Sequence, residues 1–342
     1  MAITRVASWL ITIALILVLI VVGKDYLLPI FLALVIWYLV NALDKQFRKL
    51  PWIGKHLPGA VTLGMSLIFI GMSLYAVGDT IVATVQGFVQ DSQKYVPRID
   101  AQIVHVYEIF HLEDPPTLNS LPLTEQLWIY SADLVNGITN FARALLLVLL
   151  YVLFLLIEQG AFGKKMAALG LPLQETNRLS VVLNKVNDAM RTYLGVKTFT
   201  SMLTAVLSWV VFYAVEVDFA LFWAFLVFLF NYVPTIGSIT ATLLPGFLAL
   251  VQFDTLSPFL IIILGVTAIQ LLVGNILEPR LMGDNLNISP LVVVLTLILW
   301  SMLWGVIGML LSVPITVAII IICAQFETTR PVAVLLSKDG KV

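Results

Sequence analysis

Charge is scarce in this chain. Asp, Glu, Lys and Arg make up 11% of its 342 residues, while apolar residues make up 60%. Soluble domains carry about 25% charged residues, so there is too little polar surface here to cover a water-exposed globule. That excludes a soluble domain and leaves a polytopic integral membrane protein. The formal net charge of −1 excludes an electrostatic footprint for nucleic acid. A single cysteine, Cys323, excludes a disulfide framework, and its place near the end of an apolar run suits packing. The three histidines, His56, His105 and His111, lack metal-ligand spacing, so neither a metal nor another cofactor is expected.

Catalytic signatures are missing as well. GAFGKK at 160–165 ends wrongly for a phosphate-binding loop of the G-x-x-x-x-G-K-[ST] type, which excludes an ATP motor built into the chain. No H-E-x-x-H, G-x-S-x-G or kinase motif occurs. Asp79 and Asp254 lie far apart in the chain and neither sits in a motif, which argues against an intramembrane aspartyl protease. An enzyme is not expected.

What the chain does have is long apolar runs. Eight of them reach or approach the ~20 residues a helix needs to cross about 30 Å of hydrocarbon. They are 6–22, 26–42, 60–84, 142–158, 199–215, 219–232, 256–275 and 289–323. The runs are continuous, whereas the strands of a membrane barrel alternate, so the fold is all-α. Residues 6–22 follow Arg5 as in a signal peptide, but no small-residue cleavage site comes after them, and they read as an uncleaved first span.

Orientation follows from Lys and Arg. They gather in the 43–59 loop (Lys45, Arg48, Lys49, Lys55), in the 159–198 loop and in the tail (Arg330, Lys338, Lys341), which are assigned to the cytoplasm. The acidic 88–141 region is assigned outside. An even span count then puts both termini on the cytoplasmic side of the membrane. Residues 237–253 are apolar but interrupted by Pro245-Gly246, and parity makes them one arm of a re-entrant hairpin. The expected organisation is N-terminal helices 1–3 (1–84), an extracytoplasmic amphipathic region (85–141) and the fourth span with a cytoplasmic amphipathic helix (142–198). A C-terminal transport region (199–325), with its re-entrant hairpin at 233–253, and a cytoplasmic tail (326–342) complete it.

Two stretches outside the spans are amphipathic. In 119–148, Leu127, Tyr130, Leu134, Ile138, Phe141 and Leu145 recur every three or four residues, as in one long helix rising into the fourth span. In 175–197, Leu179, Leu183, Val186, Met190 and Tyr193 do the same. Such stripes rest on their own protein or on the bilayer surface; the outer one also suits a subunit interface. No repeat of 20–50 residues is evident.

Three constellations in the C-terminal half carry polar or helix-breaking residues. NYVPTIGS, 231–238, closes an apolar run with Asn231, Pro234 and Gly237, and Pro245 follows soon after. Unpaired backbone in hydrocarbon costs several kcal/mol, so such a break is either a loop at the membrane face or part of a substrate site built from broken helices. GNILEPRLMGDN, 274–285, places Asn275 and Glu278 three apart, on one helix face, then Pro279, Arg280 and Gly283. This is either a surface loop with a weak ion pair or a segment lining a cavity, where Glu278 could carry a proton. GVIGMLLSVPIT, 305–316, offers Gly305, Gly308 and Pro314 for close helix packing or as a pivot in a span of about 35 residues. On residues alone, this is a secondary transporter or channel with its site in the C-terminal half.

NYVPTIGS, GNILEPRLMG, GMLLSVPIT and VAVLLS (332–337) together resemble the autoinducer-2 exporter family of PerM-like bacterial permeases. The layout is similar along the whole chain, and the motifs are specific from about Val196 onward. The resemblance implies export of autoinducer-2, a small polar sugar-like signal in quorum sensing, and a homo-oligomer, as a pentamer. Other relatives are described as sodium- or lithium-proton antiporters. The expected site therefore has Asn231, Gln270 and Asn275 bonding a small polar solute, with Pro234, Gly237 and Pro245 shaping the backbone around it. Glu278 would carry the proton beside Arg280; Pro279, Gly283, Gly305, Gly308 and Pro314 would act in hinges or packing. An antiporter would instead cluster oxygens such as Thr235, Ser238 and Thr240 near the carboxylate, and a scaffold without transport would work through its amphipathic helices. Membrane lipid is the remaining expected partner.

Overall fold

The computed structural model describes residues 2–109, 111, 123–168, 173–283 and 287–340. Its regular elements are all helical: α1 (Ala2–Val22), α2 (Lys24–Lys49), α3 (Pro51–His56), α4 (Gly59–Ile109), α5 (Leu123–Ala168), α6 (Leu173–Val215), α7 (Ala220–Phe230), α8 (Ile236–Gln252), α9 (Ser257–Gln270), a π-helical segment (Leu271–Leu277), α10 (Glu278–Met282), α11 (Pro290–Ala324) and α12 (Arg330–Leu336). Local chemistry sets several ends. Asp25 sits in the first turn of α2 and Arg48 and Lys49 in its last, each matching the helix dipole. Proline stands in the first two positions of α9, α11 and α12, where its missing N–H costs nothing.

Among the described residues six helical segments are long and apolar enough to cross a membrane: Lys24–Lys49, Gly59–Thr84, Ala144–Lys165, Leu179–Val215, Ser257–Met282 and Pro290–Ala324. α1 adds a further 21 residues of apolar helix. α4 runs on for 51 residues in all, through Pro97, so a large part of it lies beyond any bilayer. α5 and α6 each join an amphipathic stretch to an apolar one without a break, as the stripes suggest. The side chains of the outer stripe from Leu127 to Phe141 lie outside the described residues.

The chain divides into two compact units, each assembled from separate stretches. One comprises Met1–Leu67, Ala144–Lys197 and Leu281–Val342; the other comprises Ile68–Arg143 and Thr198–Arg280.

In the second unit, α7 has 11 residues and α8 has 17. At 1.5 Å per residue they reach only about 16 and 26 Å, short of the ~30 Å hydrocarbon. They form a helical hairpin, so the hairpin begins at Ala220, earlier than 233, and the run 219–232 is one of its arms. The turn is tight. A Cβ on Gly237 would stand 1.8 Å from the carbonyl oxygen of Phe230, so only glycine fits. Thr235 takes φ +60°, a left-handed conformation that β-branched residues rarely adopt. α8 continues through Pro245, which is buried in the packing rather than a chain break. Phe212 of α6, Val227 of α7, Ala249 of α8 and Ile262 and Val266 of α9 form the core of this unit.

In the first unit, α11 doubles back. Its 35 residues would be about 52 Å long if straight. Yet the Ser289 N–H, just before the helix, donates to the carbonyl of Leu336 at 3.1 Å, and the twelve residues from Ala324 to Leu336, seven of them helical, cannot stretch back over that distance. The reversal is at Gly305, with φ 64° and ψ −143°, and a Cβ on Gly308 would meet the Trp300 carbonyl oxygen at 1.9 Å. The run 289–323 is therefore a second hairpin, bent at Gly305, with Pro314 inside its second arm. Trp304 Nε1 donates to the Ile20 carbonyl at 3.1 Å, and its ring lies 5.2 Å from that of Phe31, which fastens the bend to α1 and α2. Met190, Tyr193 and Leu194 of α6 pack with Val313 and Val317 of α11 and with Tyr38 and Leu39 of α2. The inner amphipathic stripe thus rests on its own protein over Val186, Met190 and Tyr193.

Candidate functional site

The polar centre of the second unit is a stripe on α6. Thr200, Ser201, Thr204 and Ser208 recur at helical spacing inside an apolar helix, and all four are at most 1% exposed. Buried hydroxyls in such a helix need partners. Thr204 Oγ1 donates back to the Thr200 carbonyl at 2.8 Å. Thr200 Oγ1 donates to Glu278 Oε2 at 3.3 Å. Asn231 Nδ2, at the tip of the α7–α8 hairpin, donates to Ser201 Oγ at 3.1 Å. Beside it, Tyr232 OH and Thr198 Oγ1 share a 2.8 Å hydrogen bond. Two consecutive residues of α6 therefore hold the tip of the hairpin and the acid of the E-P-R segment. Ser208 Oγ is buried without a hydrogen-bond partner among the described residues.

The π-helical segment before α10 sets where Glu278 points. The Glu278 N–H donates five residues back, to the Val273 carbonyl, and Pro279 then has no N–H to give. A residue in an i→i+5 turn advances through a smaller angle than in an α-helix, so three steps no longer return to the same face. Asn275 is exposed, while Glu278 is half-buried and bonded to Thr200. With π-helical turns between them, their spacing of three no longer implies a shared face. Arg280 is also exposed, and Glu278 turns to a hydroxyl on α6.

The remaining residues singled out by sequence have structural surroundings. Gln270 Nε2 donates to the Ser238 carbonyl at 3.1 Å, and its Oε1 accepts from Thr242 Oγ1 at 3.2 Å, tying α9 to α8. The hydroxyls of Ser238 and Thr240 donate to carbonyls of Thr235 and Ile236 in their own chain segment, so they do not converge with Glu278. Pro234 is half-buried in the hairpin turn, and its carbonyl accepts from the Ile236 N–H. Gly283, with φ +57°, closes α10; Asp284 lies outside the described residues.

The sequence motifs do not point to the α6 stripe. Its signal was the spacing of small hydroxyls in KTFTSMLTAVLS, 197–208, where Lys197, one turn before Thr200, is buried too. Among the described residues no group of three His, Cys, Asp or Glu side chains could hold a metal ion. What the arrangement offers is a carboxylate, an amide and several hydroxyls gathered against one apolar helix. That set can bond a polar solute, bind a cation or carry a proton.

Comparison with known proteins gives one family. Residues 10–328 match the AI-2E family transporter model. The AI-2 transport protein TqsA of Escherichia coli K12 is 36% identical over 242 residues, covering 70% of this chain and 65% of that protein. A candidate transport protein of Borreliella burgdorferi is 34% identical over 225 residues, covering 65% of this chain and 62% of its own length. The match therefore spans less than two thirds of these two relatives. A candidate transport protein of Haemophilus influenzae is 30% identical over 322 residues, covering 91% of this chain and 88% of its own.

Proposed function

The chain belongs to the AI-2E family of transporters, and from that premise we propose that it exports a small polar solute, with autoinducer-2 as the first candidate. The observation that carries this reading is the meeting of Asn231 and Glu278 on neighbouring residues of α6. Hydroxyl groups of a sugar-like solute would replace the internal bonds of Glu278, Thr200, Ser201 and Asn231. Glu278 would couple the step to protons. Both hairpins would be re-entrant. α1, α2, α4, α5, α6 and α9 would then be the six crossings, an even number, with both termini in the cytoplasm beside the basic loops. In this topology the E-P-R segment faces the cytoplasm, and the chain works as a homo-oligomer, a pentamer by family resemblance.

The test is solute efflux from proteoliposomes, run with and without a pH gradient and with and without sodium. Autoinducer-2 efflux that responds to the pH gradient and ignores sodium supports the proposal. Sodium- or lithium-driven proton movement without solute efflux would replace it with the antiporter reading, for which the clustered oxygens of Glu278, Thr200 and Ser201 are the relevant ligands.

A further inference from the structure

The corner between α2 and α4 has features that transport does not use. From Lys45 to Gly78 the chain contains no acidic residue, and Lys45, Lys49 and Lys55 are exposed. Arg48 is already engaged within the chain. Its Nε pairs with Asp44 Oδ2 at 2.8 Å, and its Nη2 donates to the Gly59 carbonyl at 3.1 Å, joining the end of α2 to the start of α4. Asp44, the nearest acid, is thereby neutralised and buried. Among the described residues the three lysines form no ion pair, so the corner keeps its positive charge.

The same corner shows an aromatic ring to its surroundings. Trp52 of α3 is 75% exposed and Leu50 beside it is 49% exposed. Trp52 is held in place: His56 Nδ1 lies 2.8 Å from the Trp52 carbonyl oxygen, and the two rings are 6.0 Å apart. Only a short connection separates two helices of spanning length, so the corner must lie at the membrane surface. A tryptophan there sits at headgroup level, and lysines near it meet lipid phosphates.

We propose that Lys45, Lys49, Lys55 and Trp52 form a docking site for anionic phospholipid headgroups in the leaflet that this corner faces. The lysines bind the phosphate, and the indole anchors the glycerol and acyl boundary. The Arg48 bridge joins the two helix ends, so the backbone of the corner is ordered before binding.

The test uses the full-length protein in detergent, with bound phosphatidylglycerol and phosphatidylcholine counted by native mass spectrometry. The parent is expected to retain phosphatidylglycerol in preference. The triple variant K45Q/K49Q/K55Q, which leaves Asp44 and Arg48 intact, is expected to weaken that retention about tenfold or more. Trp52→Ala is expected to reduce retention of both lipids. Unchanged phosphatidylglycerol binding in the triple variant overturns the site. Displacement of the lipid by inorganic phosphate at matched ionic strength overturns the lipid assignment in favour of a small anion.

Discussion

Thr200 Oγ1 donates to Glu278 Oε2 at 3.3 Å, joining residues that are 78 positions apart in the chain. Among the described residues of this polar cluster Glu278 is the acid, so its chemistry can be separated from its packing. Glu278→Gln keeps the size and the hydrogen-bond acceptor and removes the charge. The variant is expected to insert and fold as the parent does while proton-dependent efflux in vesicles is abolished. Undiminished efflux would remove Glu278 from the mechanism.

Thr200→Val deletes the hydroxyl and keeps the shape. A hydrogen bond to a charged group is worth about 1.5–3 kcal/mol, so transport should fall by about tenfold or more if this bond positions the carboxylate. Parental efflux kinetics in the variant would show that the bond is incidental.

Asn231 and Ser201 are expected to act as a pair. In a cycle of Asn231→Ala, Ser201→Ala and the double variant, thermal unfolding should reveal a coupling of about 1 kcal/mol. Additive effects would mean that the hairpin tip is not held by this bond.

The two hairpin glycines answer to backbone, not to side chains. A Cβ at Gly237 or Gly308 would lie within 2 Å of a carbonyl oxygen. Gly237→Ala and Gly308→Ala should each destabilise by about 1–3 kcal/mol or more, since backbone must shift. Gly64→Ala, with nothing within 4 Å of the new methyl, should be tolerated. Unfolding temperatures of the three variants decide this.

The second hairpin makes a prediction about topology. Asn287 Oδ1 accepts from the Lys338 N–H at 3.1 Å, and its Nδ2 donates to Asp339 Oδ1 at 2.6 Å. Groups in contact cannot lie on opposite membrane faces. With Cys323 replaced by alanine, single cysteines at Asn287 and Lys338 should react with an impermeant thiol reagent from the same side. Labelling from opposite sides would restore α11 as a single crossing.

Much of the membrane fold was legible in the residues. Apolar run length separates a spanning helix from a soluble one without any tertiary information, and the long continuous helices Leu123–Ala168 and Leu173–Val215 were readable because helical spacing is local. The hairpins were only half legible. The Asn231–Gly237 break stood out, but Phe219–Tyr232 is apolar enough to pass for a span, and only the observed helix length of 11 residues shows otherwise. In 289–323 no residue announced the reversal, because Gly305 in an apolar run reads equally as packing. The shared face of Asn275 and Glu278 was argued from α-helical turns, a premise that Leu271–Leu277, a π-helix, does not meet.

By itself, then, the amino-acid order decided the solvent: with so few charges and such long apolar runs, this chain has to live in lipid as helices that satisfy their own backbone. It also marked Asn231 and Glu278 as residues in need of a reason. Where those two go was decided by tertiary structure alone. Their partners, Ser201 and Thr200, lie 30 and 78 positions away, and the spacing of small hydroxyls in 197–208 cannot say which neighbouring helix will bring an acid and an amide against them.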